Sequence, residues 1–514
     1  MSAPVMVISP APTANGDVHL GHIAGPFLAA DVYTRYARAM GREALLGTGV
    51  QDTSTYVVTT ARRLGITPAE LVSRSTADVE KSLSALGIQI DGYTGDETRF
   101  TDWVVEFIGR LRTTGALELR TMKFPYLPSA DAFLVDGFVR GGCPFCLADG
   151  CAGLCEGCGH PVAPGELIEP SSTLHPDEPV ELREARVLVL PLEKYRAELR
   201  EYFDRRRATM RPHMAQTVDE LLARPLPDFP VTHPVSWGIP APFAVVEGQV
   251  INPNAETMAW SIYCTALSAE QRGAAPAAVD ALWAGDSDWQ PVYFLGFDNT
   301  YPFAIAGVAM LLALGGRYRL PEQFVTNEFY ELEHEKFSTS RGHAVWGGEL
   351  AAQVPRDLIR FHLAATSPEF QRSDFSRAAL ERVAGLRLVR PWNEVAAKAA
   401  VRAGGEPLPV SARSRAAAGR IVERFATAYE LTHFSIGRAA GILAEQLSRL
   451  AAWEVGEHDA GDFHHQVDVV LRCAAPILID LADQVLADAS IPAGVEVGTV
   501  RPVALPRLPE PAGA

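Results

Sequence analysis

The order of hydrophobic patterns along the chain constrains its fold more tightly than any single residue. "VMVISPAP" is a β-branched run closed by prolines, as expected of a buried strand followed by a tight connection. In "HLGHIAGPFLAADVYTRYARAMG" the period becomes helical, with Leu20, Ile23, Phe27, Leu28, Val32 and Tyr36 on one side. "EALLGTGVQD" reads as a second strand and "TYVVTTARRLG" as a second helix. Strand, helix, strand, helix with short connections implies a parallel α/β sheet. The alternation returns with "QPVYFLGFDN", the helix "YPFAIAGVAMLLALGG" and the strand "QFVTNEFYELE". After about residue 350 strands are expected to stop and helices to form an α-helical domain. The Pro-rich end, "IPAGVEVGTVRPVALPRLPEPAGA", reads as either a strapped-down or a disordered tail.

What interrupts the alternation is a Gly- and Pro-punctuated segment holding five of the seven cysteines, Cys143 to Cys158. Its spacing, C-x2-C-x8-C-x2-C, is that of a metal knuckle and not of a disulfide framework. Cys143, Cys146, Cys155 and Cys158 are the tetrahedral zinc ligands on this reading, and four thiolates leave no open position, so the zinc is structural. Cys151 is the spare, with substitution for a knuckle partner left open.

With 514 residues the chain has room for two to four domains. Its formal net charge of -16 argues against a general polyanion binder, while leaving room for a local basic face. No apolar run reaches membrane-spanning length and "MSAPVMVISP" lacks signal-peptide character, so a cytoplasmic protein is expected.

Two motifs carry chemistry. In "TANGDVHLGH" the first strand gives way to a helix amino terminus, where unpaired backbone N–H groups and a partial positive charge await an anion. Asn15-Gly16 makes the turn, Gly21 permits close approach, and His19 and His22 point at one place, able to stabilise charge developing on a phosphate. In "HEKFSTSRGH", Lys336 follows a strand and is expected in a mobile Ser/Thr/Gly-rich loop, from which a lysine can close over a triphosphate as diphosphate leaves. Either motif alone reads equally well as surface polar loop; the pair does not.

These motifs resemble the two signatures of the class I aminoacyl-tRNA synthetases, here His19-Leu20-Gly21-His22 and Lys336-Phe337-Ser338-Thr339-Ser340. The order of "TANGDVHLGH", "TGVQDTSTYVVTTARRLGITPAEL", the cysteine insertion, "WGIPAP", "FLGFD" and a trailing helical domain is similar to the methionyl branch. The resemblance implies a Rossmann-like (HUP-type) parallel sheet with an inserted zinc-knuckle connective domain and a C-terminal helical bundle. The corresponding divisions are a catalytic domain at 1–118 and 231–350, a connective insertion at 119–230, a linker at 351–392, an anticodon-binding-like domain at 393–490 and a tail at 491–514. It implies ATP with Mg2+, with His19, His22 and Lys336 catalytic. Asn15, Gly16, Gly21, Ser338, Thr339 and Ser340 join them around ATP. Ala11, Thr13, Gln51, Asp52, Tyr263, Asp298, Asn299 and Phe303 are implied around the amino acid.

The resemblance breaks at the amino-acid site. Thr13 stands where methionyl enzymes usually carry a tyrosine, and Gln51 where an aspartate holds the substrate ammonium, with Asp52 next door. Glu256 falls near a tryptophan position, Phe297 and Phe303 replace a lysine and a histidine, and His233-Pro234 replaces Arg-Asp. A thioether pocket is apolar, so these changes point to a smaller or more polar amino acid. In the helical domain Asn393 keeps an anticodon-reading position, but its arginine partner is Ala397, with Lys398 one step off, and Ala452 replaces the proline before Trp453. Trp392 and Trp453 read as helix-packing residues. The expected activity is therefore aminoacyl-adenylate formation with transfer to a small-molecule nucleophile, which would need a separate partner enzyme; the alternatives are a genuine methionine-tRNA ligase and a catalytically dead regulator.

Overall fold

A computed structural model describes residues 3–94, 98–275, 277–337 and 343–510. The first apolar run forms β1 (Val5–Ile8), buried at every position, as is β2 (Ala44–Gly49). With β3 (Gly92–Thr94), β4 (Gln290–Gly296) and β5 (Gln323–Asn327) they make one sheet in the order β5-β4-β1-β2-β3, every neighbouring pair parallel. Succession runs outward from β1 to β3 and then jumps to the opposite side at β4. In an open α/β sheet the crevice beyond the carboxyl ends of the strands, where succession reverses, is the binding position. That crevice lies between β1 and β4.

The helix expected from His19 onward is not continuous. A short turn, Leu20–His22, runs into a π-helical segment, Ile23–Phe27, in which Gly25 has ψ -107, before α1 (Leu28–Ala39) begins. Pro26 is the cause: it brings no N–H, and its ring crowds the carbonyl four residues back. Beyond β2, α2 (Thr55–Leu64) is capped by Ser54, whose hydroxyl accepts from the Tyr56 N–H, and stops at left-handed Gly65.

Between β3 and β4 the chain builds a separate antiparallel sheet, centred on Glu118–Leu127 paired with Glu181–Pro191, the latter also paired with Asp228–Pro230. A second ribbon, Val139–Gly142 with Ile168–Ser172, carries the cysteine loop between its strands. The insertion is pinned to α2. Thr55 Oγ1 accepts from the Gly137 N–H at 2.8 Å and donates to the Val135 carbonyl at 3.0 Å. A Cβ on Gly137 would stand 2.6 Å from the Tyr56 nitrogen, so only glycine permits this approach. The chain returns to the parallel sheet through α3 (Thr257–Gln271), which packs on β2 and β3.

Past residue 350 helices dominate, but strands do not stop as expected. Ser373–Phe375 pairs in parallel with Tyr330–Leu332, and Leu408–Pro409 pairs with Thr499–Val500. Ladders of two or three residues are too short to imprint a period on the sequence. The tail is strapped down: Leu505 is buried and the Trp392 indole donates to the Pro506 carbonyl at 2.8 Å. Arg360 fixes the helices to the catalytic half. Fully buried, it donates to Asp31 of α1 at 2.6 Å and to the carbonyls of Leu86, Pro476 and Ile477. Among the described residues no helix is long and apolar enough to cross a membrane.

Candidate active site

The connection leaving β1 holds both histidines. Thr13 pairs with Gln51 beyond the end of β2, fixing the loop against the sheet. His19 is extended (φ -89, ψ 170) and its Nδ1 accepts from the Gly21 N–H at 3.1 Å, folding the ring back against the turn it caps. A Cβ on Gly21 would lie 2.9 Å from that ring, which accounts for the glycine. The His19 and His22 rings stack with centroids 3.9 Å apart, and His19 stacks on Phe337 at 4.7 Å. Burial pushes the His22 imidazole down to about 4 and holds His19 well below its ordinary value, with the positive charges of His22 and Lys336 contributing to the latter. Both rings are thus neutral donors near pH 7. His22 Nδ1 is buried and has no hydrogen-bond partner among the described residues, an orphaned polar atom in a crevice suited to a polar ligand.

The second signature arrives at the same place. Glu335–Lys336 forms a hairpin with Tyr330–Leu332, and Phe337 then carries the chain onto His19. On the far side of the loop Trp346 bridges His19, and Leu20 N–H donates to the Val345 carbonyl at 3.0 Å. Both ends of the loop therefore sit on the first signature; Ser338, Thr339 and Ser340 lie outside the described residues. The Lys336 ammonium is half-exposed, lies 5.1 Å from the Phe329 ring centroid, and pairs with Glu156 of the cysteine loop.

Beside this lies a cavity of about 510 Å³ at the carboxyl ends of β1, β2 and β4. Ala11, Gln51, Asp52, Asn299 and Phe303 line it. Thr13 is held beside it through its backbone bridge to Gln51. Asp298 does not line it and accepts from the Asn299 carboxamide at 3.2 Å; burial first, then the Glu156 charge, lift its carboxyl to about 6, against the opposing pull of Lys336. Tyr263 stands further back. It is buried behind the cavity against Phe100, centroids 5.5 Å apart, and does not line it. Trp260, about 4.5 Å nearer along α3, occupies the wall with Phe100, and neither was anticipated from the sequence. The i to i+4 spacing of Glu256 and Trp260 could have found the latter.

Glu256 is the polar group that dominates this wall. One carboxylate oxygen accepts from the Thr53 hydroxyl at 2.8 Å; the other is buried with no partner among the described residues. Burial raises its carboxyl to about 8, with Thr53 opposing and the Asp52 charge adding. Gln51 Nε2 donates to the Pro253 carbonyl at 3.2 Å.

The four predicted cysteine ligands converge. Cys143, Cys146, Cys155 and Cys158 place their sulfurs within 4.8 Å of one another, with 3.9 Å between Cys143 and Cys158 and 3.5 Å between Cys146 and Cys155. A zinc ion with bonds of about 2.3 Å sets tetrahedral sulfurs roughly 3.8 Å apart. The donors fit a structural zinc. Cys151 is buried outside this group, its thiol pushed up by burial.

In the helical domain the residues that the resemblance singled out are committed internally. Asn393 exchanges two hydrogen bonds with the Leu508 backbone, each 2.9 Å, and Lys398 donates to the carbonyls of Ala451 and Trp453. The Trp453 indole donates to Asp459 at 3.0 Å.

A sheet with its strand order reversing over two signature motifs defines a class of nucleotide-binding enzymes, and the family comparison agrees: residues 5–399 match the model of tRNA synthetases class I (M). The chain is 32% identical over 375 residues to a methionine–tRNA ligase of Parabacteroides distasonis, covering 72% of this chain and 54% of the relative. With that of a Roseiflexus species it shares 34% over 400 residues, 75% of this chain and 66% of the relative. It belongs to the class I aminoacyl-tRNA synthetase family of ligases, in the methionyl branch. The chain spans about half the length of the first of these relatives (54%). Its fold matches that of Mycobacterium tuberculosis methionyl-tRNA synthetase in complex with methionyl-adenylate, with TM-score 0.73, 17% identity and 99% of both chains covered.

Proposed function

We propose that the protein activates a small or polar amino acid other than methionine as its aminoacyl adenylate, using ATP with Mg2+, and passes the aminoacyl group to a small-molecule nucleophile, the acyl–phosphate bond breaking and AMP leaving. In the first step a carboxylate oxygen of the amino acid attacks the α-phosphorus of ATP, the bond to the β-phosphate oxygen breaks, and diphosphate leaves. His19 and His22 donate N–H groups to the phosphates, with Asn15, Gly16 and Gly21 shaping the turn around them. Lys336, joined by Ser338, Thr339 and Ser340, neutralises the departing diphosphate. Mg2+ would offset phosphate charge, and zinc on the four thiolates would hold the insertion. The thiolate cluster also supports a reducing, cytoplasmic setting.

The observation that carries the choice of amino acid is Glu256, a half-partnered carboxyl in the wall of the cavity. A protonated Glu256 brings an O–H to this wall, which the oxygen of a side-chain hydroxyl or amide would accept and which the thioether of methionine accepts only weakly. Transfer to a small acceptor, an amine or hydroxylamine in specialised, hydrazine-type metabolism with a separate partner enzyme, draws support from the internal commitment of Asn393, Lys398 and Trp453. A second reading, methionine-tRNA ligase, is favoured by 34% identity over 400 residues to an enzyme of that name and by the trailing helical domain. Pyrophosphate exchange with each amino acid in turn, followed by transfer to tRNA or to amines and hydroxylamines, decides between them. Exchange with polar amino acids and aminoacylation of small acceptors is the expected result. Exchange with methionine and charging of methionine tRNA would establish the second reading instead, and no exchange with any amino acid would return the dead-regulator alternative.

A further inference from the structure

A second cavity, of about 720 Å³, lies where the insertion meets the catalytic half, and the activation chemistry makes no use of it. Its walls are largely apolar: Met122 and Leu134 from the insertion, Leu154 and Val162 from the cysteine-bearing segment, Tyr301 and Pro302 from the turn after β4. Two polar side chains in this wall are left without hydrogen-bond partners. His233 is buried, and its Nδ1 has none among the described residues. The Asp136 carboxylate has none there either; the nearest opposing group is His233 Nδ1 at 3.8 Å, beyond hydrogen-bond reach.

Burial holds the His233 imidazole down to about 4, so it brings no positive charge to the aspartate, and burial alone lifts the Asp136 carboxyl to about 7. A carboxylate in an apolar cavity with no cation is costly, and its position is enforced, because Gly137 locks the next residue against Tyr56. One carboxylate and one imidazole are too few donors for a divalent cation. They suit a single ammonium: Asp136 takes the charge, the neutral His233 ring beside it brings no competing cation, and the apolar walls cover the body of the ligand.

We propose that this cavity binds a small molecule with an aliphatic or aromatic body ending in a protonated amine, at a site distinct from the amino-acid pocket. Asn254 lines both cavities, so the ligand sits beside the activated amino acid. The site stands whether or not the acceptor in the proposed function is a small molecule, and its test is independent of exchange activity.

Titration calorimetry of the full chain with n-hexylamine, 1-hexanol and hexanoate tests it. The amine should bind one per chain, about tenfold or more tighter than the alcohol, with hexanoate the weakest. Asp136→Asn should abolish the preference for amine over alcohol, while amino-acid-dependent pyrophosphate exchange persists. Met122→Trp, changed at a partly exposed wall position, should block all three ligands, and it serves where Asp136→Asn fails to fold. Equal binding of amine and alcohol, unchanged amine binding in Asp136→Asn or in Met122→Trp, or no binding of any probe would overturn the proposal.

Discussion

Two side chains at the active site make separable demands. On the proposed function Lys336 meets the departing diphosphate, and it does not line the cavity beside Gln51, so Lys336→Ala should slow pyrophosphate exchange by about 100-fold or more while amino-acid affinity, measured by equilibrium dialysis, stays within about twofold. Glu256 acts through its burial. Its carboxyl is raised to about 8 in the fold, so the native state holds a proton that the unfolded chain releases above the ordinary glutamate range. Stability from this group is present at low pH and is lost as pH rises from about 4.3 toward 8. Glu256→Gln should therefore gain Tm over the parent as pH is raised from 5 to 9, and a gap that stays constant would contradict the assignment. The histidine pair and the lysine loop were legible in the sequence because each follows a strand end with glycine nearby. The half-satisfied state of Glu256 was not, since it depends on which distant hydroxyl reaches it. Tyr263 shows the same limit: three residues along a helix separate a cavity wall from the core behind it, and the pattern alone does not set where the helix begins to face the cavity.

At the scale of elements, the cysteine loop and the Lys336 hairpin meet through Glu156. The pair is largely exposed, and such pairs contribute roughly 0–1 kcal/mol. On the proposed function an incoming triphosphate would displace that carboxylate from the ammonium. Glu156→Gln should lower the KM for ATP by up to about fivefold with kcat little changed; a raised KM would mean that Glu156 helps to hold the nucleotide. The alternation of strand and helix was readable because each buried strand is a continuous apolar run. The break at Pro26 was visible as a residue, but its outcome, a widened turn in place of a stop, depends on packing against the sheet. The thiolate spacing announced its cluster because a knuckle is a local structure.

For the whole molecule, one buried guanidinium joins parts far apart in sequence. Arg360 links α1, the end of the helix before Gly87 and the turn before the last helix of the bundle. Arg360→Met would strand the Asp31 carboxylate with only Arg35 and the Gln89 N–H, and should cost about 3–5 kcal/mol in urea unfolding. Loss of under about 1 kcal/mol would show that the two parts fold independently. No sequence pattern announced this tie, since an arginine within an amphipathic helix ordinarily faces water.

The strap formed by the final segment has a practical side. Removing everything after Gly498 would take away the backbone groups that now pair with the Trp392 indole and the Asn393 carboxamide, leaving an indole N–H in the core and an amide beside it unsatisfied. The residues beyond Gly498 thus act as a clasp on the bundle, and a chain cut there should melt several degrees lower; an unchanged melting temperature would show the clasp to be idle.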